Sequence, residues 1–159
     1  MKAATINELK QELNAVPPVK LLEICLRLAK YKKDNKELMT YLLFEASDEA
    51  GYINNVKHDM DEQFAGINKS NLYFAKKSLR KILRTTGKYI RFTGSKQAEV
   101  ELLLHFCKLL VNSGIAIRKN TALKNLYEAQ LKKIGKVIST LHEDLQYDYL
   151  KELNNAQAV

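Results

Sequence analysis

Chain breakers are scarce along this sequence. Six glycines and two prolines punctuate 159 residues, and between them apolar residues recur three and four positions apart. That spacing lines one side of an α-helix, whereas a half-buried strand alternates apolar and polar residues, and no useful stretch here does so. The pattern predicts an all-α fold of about seven helices with short connections, a single domain over residues 1–159. Hydrophobic residues make up 46% and charged residues 28%, enough apolar surface for a core that needs neither metal nor disulfide.

Local signals place the helices. Thr5-Ile6-Asn7-Glu8 reads as a capping box opening a helix to about Ala15, and Pro17-Pro18 stops it and starts the next. From about Pro18 to Lys32, apolar residues from Val19 to Ala29 cover nearly the whole circumference, which predicts a helix buried between neighbours. Asp34-Asn35-Lys36-Glu37 is a second capping signal, ahead of Leu38, Met39, Tyr41, Leu42, Leu43 and Phe44. A fourth helix is expected over about Asp48–Phe64 and a fifth over about Asn71–Phe92, capped by Ser70. A sixth, apolar nearly all round, follows from about Lys96 to Asn112. The last is expected to run unbroken from Thr121 towards Leu153, with Gly135 the place for any bend.

A shift of 82 positions sets Leu21, Leu22, Ile24, Cys25 and Leu28 over Leu103, Leu104, Phe106, Cys107 and Leu110. A repeat of this kind, pairing a broad apolar helix with an amphipathic one, resembles the HEAT-like α-α superhelix proteins. The resemblance implies a stacked-helix binding scaffold; a compact irregular helical bundle is the alternative. Cys25 and Cys107 both lie in apolar runs and read as small buried thiols rather than a disulfide framework.

Charge is the most uneven property of the chain. The net charge is +8. Residues 37–62 hold Lys57 against Glu37, Glu45, Asp48, Glu49, Asp59, Asp61 and Glu62, whereas residues 63–98 hold basic residues and no acid. On a helix, Lys77, Arg80, Lys81, Arg84, Lys88 and Arg91 fall within an arc of roughly 100°, with Tyr73 on the same arc. Lys76 and Lys96 lie at its edges, and Leu72, Ala75, Leu79, Ile82, Leu83 and Ile90 fall opposite. Such a stripe suits the phosphates of a nucleic acid or an acidic protein surface. It is equally what a solvated helix face looks like, or a face neutralised by the acidic helix before it.

Catalytic and metal signatures are weak. Thr86-Gly87-Lys88-Tyr89 lacks the upstream glycine, the metal-binding hydroxyl and the preceding strand of a phosphate-binding loop. His58-Asp59-Met60-Asp61-Glu62 offers two ligands on one helix face and no third. Glu101 and His105 have the wrong spacing for a di-iron helix pair, and His142-Glu143-Asp144 is a surface run. No cofactor, metal or catalytic residue is expected, and an enzyme would need a site assembled across helices. Tyr147, Tyr149 and Leu150 could instead form part of a protein-binding surface. No run reaches the roughly 18 apolar residues of a membrane span. The first residues lack a secretory stretch, so the cytoplasm is the expected residence.

Overall fold

A computed structural model describes residues 2–157 of the chain. Those residues contain no strand and eight α-helices: α1 (Ile6–Ala15), α2 (Pro18–Tyr31), α3 (Lys33–Thr40), α4 (Glu49–Ala65), α5 (Leu72–Thr93), α6 (Lys96–Asn112), α7 (Thr121–Ile138) and α8 (Glu143–Gln157). The helices divide into two compact units, one ending at Phe44 and the other starting at Glu45.

In the first unit the capping box at Thr5 is formed in both directions. The Thr5 amide donates to Glu8 Oε2 at 2.7 Å, and the Glu8 amide donates to Thr5 Oγ1 at 3.3 Å. The Thr5 amide first, and then the Thr5 hydroxyl, which donates to Glu8 Oε2 at 2.8 Å, hold the Glu8 carboxyl below its ordinary value. Pro18 occupies the first position of α2, where no backbone donor is needed. The start of α3 differs from the capping signal in the sequence. Lys32 stands at its N-cap without a side-chain bond, and Asp34 lies inside the first turn, where its charge suits the helix dipole. Asn35 ties the two helices together, donating from Nδ2 to the Leu28 carbonyl at 2.9 Å. After Thr40 the chain continues as a π-helical turn over Tyr41–Glu45.

The expectation that α2 is buried between neighbours is not met. No residue of α1, α2 or α3 is buried. Val19, Leu21, Leu22, Leu26 and Leu28 are exposed, and Ile24, Cys25 and Ala29 are half-buried. Within this unit α2 packs against the short α3, and one small neighbour cannot cover an apolar surface that wraps most of a helix. Cys25 is accordingly half-buried rather than buried.

In the second unit α6 is the hub, packing against α4, α5, α7 and α8. That position explains its nearly all-apolar circumference: Val100, Leu102, Leu103, Leu104, Phe106, Cys107 and Leu110 are all buried. Phe106 meets Phe64 of α4 edge-on, with ring centroids 5.4 Å apart. Burial pushes the Cys107 thiol up to about 12. The 82-residue shift thus aligns a helix packed against four neighbours to one that packs within its unit against α3.

The last helix of the sequence reading is two helices. Gly135 does not interrupt α7, which runs through it to Ile138. The break comes at Ser139–His142, where Ser139 Oγ donates back to the Lys136 carbonyl and Thr140 Oγ1 to that of Val137, each at 2.7 Å. The Thr140 and Leu141 amides turn to carbonyls three residues back. Side-chain and backbone bonds together satisfy the carbonyls that a continuing helix would use. α8 then returns along α7.

Candidate functional site

The amphipathic fifth helix predicted by the sequence is continuous, and its ends are fixed. Asn71, rather than Ser70, is its N-cap: Asn71 Oδ1 accepts from the amides of Tyr73 at 3.0 Å and Phe74 at 3.3 Å. Ser70 instead bonds the Asn68 side chain. At the other end Gly94 adopts φ 62°, the left-handed cap conformation that a glycine takes without strain. Gly87 lies in the helix interior and does not interrupt it.

The two faces of α5 separate as the spacing requires. Ala75, Leu79, Ile82, Thr86 and Ile90 are buried. Lys77, Arg80, Lys81, Arg84 and Arg91 are exposed on the other side, with Lys76 and Lys88 half-buried beside them. Lys88 Nζ stands 5.2 Å from the centroid of the Tyr89 ring. Lys96 belongs to α6 and pairs with Glu99 at 3.7 Å, so it is not part of the stripe.

Four acids at the cap of α4 and within it are engaged away from α5. Asp48 caps its own helix, accepting from the Gly51 amide at 2.9 Å. Glu49 accepts from the Ser95 hydroxyl at 2.7 Å. Asp61 lies 2.7 Å from Nε2 of His105, and Glu62 lies 3.5 Å from Nε2 of His58. Among the described residues, no carboxylate forms an ion pair with Lys77, Arg80, Lys81, Arg84 or Arg91. Tyr73, Lys76, Lys77, Arg80, Lys81 and Arg84 line an open cleft of about 470 Å³. Its walls carry cations and one aromatic ring, with no acid. Like charges held this closely raise the local potential and favour an anionic ligand.

A second cluster was not legible in the sequence. Lys57 Nζ donates to Glu101 Oε2 at 2.8 Å, and the Tyr149 hydroxyl donates to Glu101 Oε1 at 3.0 Å. Its members are drawn from α4, α6 and α8, 44 and 48 residues apart. With His105, Lys108 and Glu152 they line a cleft of about 300 Å³. Burial alone would raise the Glu101 carboxyl, but Lys57 and the Tyr149 hydroxyl together hold it below its ordinary value. Tyr149 is pushed up to about 12, by burial first and then by the Glu101 carboxylate. Glu101 is therefore ionised and Tyr149 protonated across the neutral range, so neither is tuned to exchange a proton near pH 7.

No family model matches this chain, and neither a curated protein nor a solved structure is significantly similar to it.

The remaining sequence candidates are accounted for locally. His58 and Glu62 form an exposed pair on one helix face, and His142 lies 3.4 Å from the Asp144 carboxylate on the surface. Among the described residues no three of His, Cys, Asp and Glu converge as a metal site. Tyr149 packs into the core, whereas Tyr147 and Leu150 stay exposed. Among the described residues no helix is long and apolar enough to cross a membrane.

Proposed function

We propose that this chain is a non-enzymatic helical scaffold that binds a polyanion, the phosphate backbone of a nucleic acid, along the outer face of α5. One observation carries the reading: the cleft bounded by Lys76, Lys77, Arg80, Lys81 and Arg84 contains no acid, while α4, the acidic helix packed against α5, directs Asp61 to His105 and Glu49 to Ser95. A basic face that served only as a solvated surface would gain from interspersed carboxylates, because repulsion between neighbouring like charges on a helix is destabilising. Contacts of this kind reach phosphates rather than base edges, so the binding is not sequence-specific.

The test is a fluorescence-anisotropy titration of mixed-sequence DNA and RNA at about 50 and 200 mM salt. Neutralising about five phosphates of a single strand lowers affinity roughly 100-fold over that range. The triple variant Arg80→Glu, Lys81→Glu, Arg84→Glu abolishes the salt-sensitive binding with helix content unchanged. Equal weak binding by both proteins removes the proposal.

An assembly role is a second reading, favoured by the exposed apolar side chains of Val19, Leu22 and Leu26, which share one side of α2 at helical spacing. Contiguous apolar surface of this sort marks interaction sites. Sedimentation of the full chain tests it. A mass above the monomer that falls with Leu22→Glu and Leu26→Glu supports self-assembly, and a monomer throughout removes it.

A further inference from the structure

We infer that the ligand of α5 is a single-stranded nucleic acid, held by its phosphates along the cationic cleft and by base stacking on Tyr73 and Phe74 at the N-terminal end. This rests on the polyanion reading above and adds the class of strand. Tyr73 is 66% exposed and Phe74 50% exposed, although both open a helix whose inner face is otherwise well buried. Their rings meet edge-to-face, centroids 5.4 Å apart and planes at 76°, so each restrains the other while ring surface remains open to solvent. The backbone beneath them is fixed as well, because the Asn71 side chain accepts hydrogen bonds from both of their amides. A platform restrained in this way loses little freedom when a base settles on it.

Placement joins the platform to the charges. Tyr73 lines the same cleft as Lys77, Arg80, Lys81 and Arg84, and these residues climb one face of the helix over about 16 Å at the usual rise per residue. A backbone following the cations therefore arrives at the aromatic pair. A duplex keeps its bases stacked inside and offers no free ring face, whereas a single strand offers one at every nucleotide. An acidic peptide satisfies the cations but leaves the two rings unused. Stacking against an aromatic side chain is tolerant of base identity, which matches the sequence-independent binding proposed above.

The experiment compares four probes on the full chain at one salt concentration: oligo-dT, an abasic strand of equal length and charge, a duplex of equal length, and poly-glutamate. The expected order places oligo-dT about 5- to 150-fold tighter than the abasic strand. The double variant Tyr73→Ala, Phe74→Ala brings oligo-dT down to the abasic affinity and leaves abasic binding and its salt dependence unchanged. Tyr73→Phe keeps the ring and retains the binding. The comparison of oligo-dT with the abasic strand needs no variant, so it decides the matter even if an aromatic substitution disturbs the helix. Equal binding of the two strands, or a duplex bound as tightly as oligo-dT, overturns the single-strand inference and leaves the polyanion reading standing. Binding of poly-glutamate alone, or of no probe, overturns both.

Discussion

The Asp61 carboxylate lies 2.7 Å from Nε2 of His105, so this acid of α4 is spent on α6 and not on the cations of α5. Glu49 repeats the pattern through Ser95, at the start of α6. Sequence proximity suggests that the acidic segment neutralises the basic one that follows it, and the helices do pack together. Their charged side chains nevertheless diverge: α4 turns these acids to α6, and α5 turns Lys77, Arg80, Lys81, Arg84 and Arg91 to solvent. The polyanion proposal depends on that divergence.

The Lys57–Glu101–Tyr149 cluster ties α4, α6 and α8 together. A carboxyl held below its ordinary value of 4.5 binds its proton later than in the unfolded chain as pH falls. Its stabilisation is therefore full above pH 4.5 and is lost as pH drops through the folded value. Glu101→Gln should cost about 1–2 kcal/mol at neutral pH, since a bond to a charged group becomes a weaker neutral one. It should also flatten the loss of stability below pH 4.5. Urea unfolding of both proteins across that range checks the two effects together.

Burial separates two helices that look alike in the sequence. Phe106 is fully buried in α6, whereas Leu22 of α2 is 59% exposed. Phe106→Ala should destabilise the protein by about 3–5 kcal/mol through lost apolar burial and the cavity left behind. Leu22→Ala should change stability by no more than about 0.5 kcal/mol. Chemical denaturation of the two variants measures the contrast.

Gly135 lies inside α7 opposite Leu153 of α8. A Cβ added there would sit 3.6 Å from Leu153 Cδ2, ordinary van der Waals contact. Gly135→Ala should therefore stabilise the helix by about 0.5–1 kcal/mol, because glycine is the poorer helix former. Gly135→Leu has no such room and should destabilise by about 1–3 kcal/mol. Thermal unfolding of both variants shows the sign of each.

Much of the fold follows from local pattern. The capping box at Thr5, the proline start of α2, the glycine end of α5 and the division of α5 into two faces each depend on residues within a turn or two of one another. What pattern cannot supply is a neighbour. The apolar circumferences of α2 and α6 read alike, yet α6 is surrounded by four helices and α2 packs within its unit against α3. The break after Ile138 carries no glycine or proline; its signal is Ser139-Thr140, whose hydroxyls bond back to the preceding turn. The stripe on α5 was legible because its members share one helix. His105 with Asp61, and Lys57 with Glu101 and Tyr149, were not, because only tertiary packing brings them together.

The central claim is that the cation-lined face of α5 is where a polyanion sits, and an amide chemical-shift titration of the full chain with a short oligonucleotide locates that contact directly. The account predicts shifts that concentrate on Tyr73, Lys77, Arg80, Lys81 and Arg84 and fade as salt is added. Shifts centred on another helix, or none at concentrations where the oligonucleotide is in excess, would contradict it.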